Sequence, residues 1–259
     1  MLLVLLSYIP EASSAPEHCN LRMAAEADFP PHLIKLNDSW GGLSVELLQR
    51  LAKEVNCTIE FVNIPWLRSI QQLESGEIDV LSHLSISPQR EQHFSFIGPH
   101  HIEAIYLIGD PTRLPALTAL EQLTSGVDFG SIAQLHGAYY GEDFKRLSEQ
   151  PLLARQLVSI SSIQDKLALL RAGRVNAILE DDSVLHYWQQ HHYPDADKYQ
   201  ALMMVYDSPV YFGFSKRSVS EQKQAELRRA WHKLYDNGEL QKIYQKYQFD
   251  NLAALTPTP

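Results

Sequence analysis

The chain has 259 residues and a formal net charge of −9, with 22 Lys and Arg set against 31 Asp and Glu. A hydrophobic fraction of 45% is too high for disorder, and ~150 residues per domain allows one to two domains, each with its own core. The acidic balance, without any Lys/Arg run, excludes a general nucleic-acid binder, and no apolar run reaches the ~20 residues a membrane-spanning helix needs.

Met1 to Leu6 is a short apolar run, and Ala12-Ser-Ser-Ala15 places small residues where a signal peptidase cuts. Residues 1–15 therefore read as an export signal, incomplete because no basic residue opens it and its apolar core is short: either the true start lies upstream, or this is a mature N-terminus that happens to be apolar. Cys19 follows Pro16-Glu17-His18, which is no lipid-attachment triplet. Two cysteines allow one disulfide in an oxidising compartment, or two free thiols.

From Leu21 onward short β-like runs alternate with amphipathic helices, the pattern of an α/β protein. Leu21–Ala25 reads as a strand. Leu43–Val55 reads as a helix with Leu47, Leu48, Leu51, Ala52 and Val55 on one face. Thr58–Ile64 is a strand stopped by Pro65, followed by a helix over Trp66–Glu74 and strands at Asp79–Leu84 and Ile105–Gly109. A second α/β unit follows a linker-like Pro111–Pro115. It holds a helix at Leu117–Leu123, a strand at Val127–Ala133, a helix capped at Ser162-Ile-Gln-Asp165, and a buried strand at Val175–Leu179. Val210–Phe214 is a further strand. Leu227, Ala230, Trp231 and Leu234 form the apolar stripe of a C-terminal helix, and residues 251–259 read as a disordered tail.

Several phrases stand in a telling order: Phe29-Pro-Pro31, Gly42–Leu48, Pro65-Trp66, Leu73–Asp79, Ser85-Ile-Ser-Pro-Gln-Arg90, Phe94–Pro99, Ala172–Asp181 and Leu234–Tyr244. Over residues 20–250 the chain resembles the bacterial extracellular solute-binding proteins of family 3, the periplasmic amino-acid-binding components of ABC importers. The resemblance implies an α/β, two-lobed type II binding-protein fold with two crossover strands, closing on a ligand. Lobe 1 would comprise residues 20–108 and 210–250 and lobe 2 residues 109–209, with crossovers near 108–110 and 207–211.

The resemblance also assigns ligand-binding roles. Arg90 would grip an α-carboxylate through its planar fork, helped by Ser85 and Ser82. Phe29 and Trp66 would wall the ligand side chain, core packing being the rival role. His83, where the family has a small residue, could donate to the ligand, narrow the cleft or point outward. Asp181 would pair with the α-ammonium, although Glu180 and Asp182 beside it permit a shifted register. The loop Gln134–Tyr140 departs from the family's Gly-Ser/Thr-Thr phrase, and His136, Gly137 and Tyr140 could serve a different ligand shape. Ser44 replaces a common acid.

In this fold the strands after Cys19 and Cys57 are parallel neighbours, which implies a Cys19–Cys57 disulfide. No catalytic residue, cofactor or metal is expected, since neither His100-His101 nor His191-His192 has metal-ligand spacing. The expected protein is a monomeric, periplasmic, non-enzymatic binder of an amino acid or related carboxylate that delivers it to an inner-membrane permease. The alternatives are a cyclohexadienyl-dehydratase-like enzyme, using Glu180, Asp181 or Asp182 as general acid, and a stand-alone ligand sensor.

Overall fold

The structure, a computed structural model, describes residues 19–26, 29–249, 255 and 257. The expected export segment at 1–15 lies outside the described residues, as does most of the expected tail.

Alternating apolar residues form the strand β1 (Cys19–Ala24), and its N-terminal neighbour in space is β4 (Cys57–Val62). The two run parallel with Cys19 directly opposite Cys57, and the cysteines are joined in a disulfide with a Cα–Cα separation of 4.5 Å. Between them lie the small hairpin of β2 (Ile34–Leu36) and β3 (Ser39–Gly41), then α1 (Leu43–Glu54). The heptad-like face expected of α1 is the buried one, since Leu47, Leu48 and Leu51 are fully enclosed. Next come α2 (Trp66–Ser75), β5 (Val80–Leu84) and the single turn α3 (Pro88–Glu91).

Two strands are far longer than the sequence suggests. β6 spans Phe94–Gly109 and, much later, β10 spans Gln200–Ser215. They pair antiparallel over most of their length. Gly98-Pro99 and Pro209 read as breakers, but the pairing absorbs the first pair by a register shift, His101 facing Val210 while Ile97 faces Phe212. Each strand therefore serves two half-sheets. One half is ordered β4-β1-β5-β10-β6.

The other half is built from β7 (Ile132–Leu135), α4 (Gly141–Ser148), α5 (Pro151–Ala154), β8 (Leu157–Ile160), α6 (Ile163–Arg171), β9 (Ala177–Asp181) and α7 (Asp182–Gln190). Its strands continue the order as β6-β9-β7-β8, so that eight strands among the described residues form one mixed sheet. Its own core gathers Leu107, Phe129, Ile132, Phe144, Leu147 and Leu179. Ile105–Gly109 already pair with β9, so β6 changes halves before the 108–110 boundary expected from sequence. The chain returns to the first half through α8 (Glu221–Asp236) and α9 (Glu239–Lys246), which bury Leu227, Trp231, Leu234, Leu240 and Tyr244.

Three local expectations are corrected. The strand placed at Val127–Ala133 starts only at Ile132, because the Asp128 side chain accepts from Gly130 N–H at 2.8 Å and Gly130 adopts a φ of 69° in a turn. Ser162 precedes α6 but its side chain makes no capping hydrogen bond. The helix expected at Leu117–Leu123 is a short 3₁₀ segment, Leu120–Thr124.

Candidate functional site

A pocket lies where the C-terminal end of β5, the middle of β6 and the ends of β7 and β9 converge, the crevice position expected of open α/β sheets. It encloses about 80 Å³. Eight of the residues singled out from sequence line it: Phe29, Trp66, Ser82, His83, Ser85, Arg90, Tyr140 and Glu180.

Arg90 is set by the turn α3. Ser87 caps that turn, its hydroxyl accepting from Arg90 N–H at 3.3 Å, and the Arg90 guanidinium donates to Ser85 O at 3.1 Å. Burial pushes the Arg90 guanidinium below its ordinary value while Glu103, Tyr206 and Tyr139 lift it. An arginine nonetheless stays charged in a protein. No carboxylate among the described residues forms an ion pair with it. Ser82, within β5, and Ser85, directly after it, are both buried and line the pocket with it.

Trp66 opens α2, and its backbone N–H donates to the Glu26 carboxylate at 2.8 Å. Its indole N–H is buried without a partner among the described residues. Phe29 stands edge-on to His83 with ring centroids 5.1 Å apart. His83 has a left-handed φ of 57°, and both its ring nitrogens are buried without a partner. Burial, then the neighbouring His32, His100 and His101, hold it well below the usual histidine range, so it is neutral.

Asp181 and His136 are not in the pocket. Along β9 successive side chains point to opposite faces, and it is Glu180 that faces the pocket. Asp181 points the other way. It caps α7, accepting from Ser183 N–H at 2.7 Å and Ala104 N–H at 3.1 Å, and it meets His101 Nε2 at 3.2 Å. The shift of one residue among three consecutive acids moves the pocket carboxylate from Asp181 to Glu180. His136 is exposed at the end of β7, where its N–H donates to Ile160 O at 2.8 Å. The loop's contribution comes instead from Ala138, Tyr139 and Tyr140, with the Tyr140 hydroxyl accepting from Leu135 N–H at 2.9 Å.

Sequence reasoning missed Glu26, Glu103 and Lys166, all of which line the pocket. Lys166 and Glu180 pair at 2.6 Å, both almost fully buried. Burial raises the Glu180 carboxyl above its usual value, with Lys166 opposing. Glu103 has no such ion-pair partner among the described residues. Burial, reinforced by Asp181 and Glu180 and opposed by Lys166 and Arg90, pushes it up to about 8. Its only local signal was a lone acid inside the apolar run Ile102–Gly109.

One wall of the pocket thus presents a cation with hydroxyls, another a carboxyl group awaiting a counter-charge, and aromatic rings lie between. A cation and carboxyl groups spaced apart in a buried crevice suit a small zwitterion.

The profile of the bacterial extracellular solute-binding proteins, family 3, matches residues 21–251. A putative ABC transporter arginine-binding protein 2 of Escherichia coli (strain K12) is 24% identical over 233 residues, covering 88% of this chain and 90% of that protein. A probable histidine-binding protein of Neisseria gonorrhoeae is 25% identical over 237 residues, covering 87% and 82%. Among solved structures, an ancestral arginine-binding protein bound to arginine superposes with a TM-score of 0.73 at 21% identity, covering 88% of this chain and 97% of that one.

Proposed function

Because this chain belongs to the bacterial extracellular solute-binding proteins of family 3, we propose that it captures an α-amino acid in the pocket between its two half-sheets and hands it to an ABC permease. The observation that carries this reading is Arg90, a half-buried guanidinium in the pocket with no carboxylate paired to it among the described residues. An α-carboxylate fits its fork, with Ser82 and Ser85 beside it. Glu103 receives the ligand's positive end, and a ligand bearing a basic side chain suits it best. The similarity to a putative arginine-binding protein and a probable histidine-binding protein supports a basic amino acid. The protein acts as a monomer in the periplasm. No described helix is long and apolar enough to cross a membrane. Ligand binding shifts an open–closed equilibrium about the two shared strands, without covalent chemistry.

Thermal-shift screening of the twenty amino acids against the protein and an Arg90→Ala variant tests this. Stabilisation by basic amino acids, lost in the variant, is expected. A panel with no response discards the reading.

A second reading, a lyase on the same scaffold, draws on one feature: burial pushes the Glu103 carboxyl up to about 8, toward the range in which a carboxyl can act as general acid. Turnover of prephenate or arogenate, lost in a Glu103→Gln variant, would favour it over transport.

A further inference from the structure

Three ligating side chains converge on the face of β9 that turns away from the pocket. His32, His101 and Asp181 each place one ligand atom so that the three lie within 4.8 Å of one another. All are buried, at 0%, 6% and 1% exposure. They come from three separate places in the chain: the loop before β2, the crossover part of β6 and the end of β9. The spacing rules that argued against a metal compare residues near in sequence and do not see such an assembly.

Two of the three, His32 and Asp181, are held in place from behind. The first turn of α1 donates to the His32 loop, Leu43 N–H to Pro31 O at 2.9 Å and Ser44 N–H to His32 O at 3.1 Å. Gly42, at a φ of 100°, makes that approach possible, since a Cβ there would sit 2.5 Å from His32 O. Asp181 is oriented by Ser183 and Ala104 N–H groups, and the Ser183 hydroxyl bonds both the Asp181 carboxylate and His32 Nε2, the latter at 3.0 Å. Such outer hydrogen bonds are what orient the ligands of a metal site.

A second observation points to a missing partner. His32 Nδ1, both ring nitrogens of His83 and His100 Nδ1 are buried without a hydrogen bond among the described residues. These rings form one cluster, with His83 4.2 Å from His32 and 4.9 Å from His100 between centroids. Unpaired buried nitrogens are uncommon, and a cluster of them beside a carboxylate calls for an ion or ordered water.

We propose that His32, His101 and Asp181 bind a divalent transition-metal ion of the zinc class, which ties the first half of the molecule to the second. Two imidazoles and one carboxylate are the donor set of borderline ions and a poor set for magnesium or calcium, which prefer all-oxygen shells. Ligand atoms around a tetrahedral zinc sit roughly 3.3 Å apart, given bonds of about 2.0–2.1 Å. Binding therefore draws the three groups together and with them the elements that carry them. The His83 ring, 4.2 Å from that of His32 and 6.0 Å from that of His101 between centroids, offers a further nitrogen donor. His101 and Asp181 also line a second crevice, of about 640 Å³, which gives an ion a route that avoids the amino-acid pocket.

The test uses the full, untagged chain stripped with chelator. After incubation with zinc and desalting, elemental analysis should find one equivalent per chain. Cobalt(II) should give the intense visible bands of a tetrahedral site. His32→Ala, His101→Ala and Asp181→Asn should each weaken zinc binding at least tenfold, while a His186→Ala/His191→Ala variant, altered only at the crevice mouth, keeps it. Absence of retained zinc in the wild-type protein overturns the proposal, as does undiminished binding in the triad variants. Loss of zinc in the His186/His191 variant also overturns it, by assigning the ion to surface histidines. Should a triad variant fail to fold, the wild-type stoichiometry and cobalt spectrum decide. Neither readout depends on any amino acid binding, so this inference and the proposed function fail separately.

Discussion

Lys166 and Glu180 form an ion pair in the wall of the pocket, 2.6 Å apart and with side chains only 5% and 2% exposed. The lysine also donates to Leu179 O at 3.0 Å. Desolvating both ions costs about what their attraction returns, so the pair adds little net stability, but removing one partner strands the other. A Lys166→Met variant is expected to lose about 3–5 kcal/mol, read as a fall in the urea midpoint at pH 7. A Lys166→Met/Glu180→Leu double variant should recover most of that loss. Equal losses in the single and double variants would show that the pair is not the cause.

Because Lys166 pairs with Glu180, the pocket carboxyl groups left for a ligand's positive charge are Glu103 and Glu26, and Glu26 already accepts from Trp66 N–H. Glu103→Gln is expected to weaken binding of basic amino acids by roughly tenfold to a hundredfold, the worth of a hydrogen bond to a charged group. Binding of neutral amino acids should change far less. Isothermal titration of arginine and glutamine against both proteins makes the comparison, and an equal change for the two ligands would place Glu103 outside side-chain recognition.

Acid stability should depend on Asp79. Its carboxylate accepts from Arg22 Nε at 2.9 Å, Nη2 at 3.0 Å and the backbone N–H at 2.8 Å. Burial pushes Asp79 up, but the Arg22 and Ser218 interactions outweigh it and hold the carboxyl below its ordinary value. A depressed folded pKa contributes stability that is present above the unfolded value and is lost as pH falls through the folded one. Urea midpoints of the wild type should therefore drop more steeply below about pH 4 than those of Asp79→Asn, with the larger gap between the two proteins at pH 7. A gap that stays constant with pH would exclude this carboxylate as the source.

The Cys19–Cys57 bridge closes a loop with a sequence separation of 38. Loop-closure entropy for that length corresponds to about 4 kcal/mol. A Cys19→Ser/Cys57→Ser variant should melt well below the wild type, and the native protein unfolded in denaturant should titrate no free thiol. Two free thiols in protein made under oxidising conditions would remove the bridge.

Much of the site was legible because its residues lie in short phrases whose local geometry fixes them. Arg90 sits in its own capped turn, Ser82 lies within one strand and Ser85 directly after it, and Trp66 starts a helix just after Pro65. The cysteine pairing followed once β1 and β4 were placed side by side. What was not legible depends on contacts between distant segments. Glu103 enters the pocket only because β6 runs on through Pro99, against the usual reading of Gly-Pro as a stop. Asp181 and Glu180 are adjacent in sequence but opposite in space, so a period-two strand reverses the roles that alignment alone assigns. His136 lies just past the end of β7, where its N–H still pairs with Ile160 O and its side chain faces outward. His32 carried no local signal at all, since its neighbours His83, His101 and Asp181 come from other elements.

The placement of β10 between β5 and β6 bears on how the chain acquires its fold. As the chain is synthesised, β5 and β6 are complete by residue 109, but the strand that joins them is finished only at Ser215. Until then each presents an open edge, and pairs such as Ser215 with Phe94 must close across the whole second half. Closing loops of that length is slow. The first half therefore cannot lock before nearly all of the polypeptide has left the ribosome, and a chain held unfolded that long is one that can still be threaded through a narrow pore.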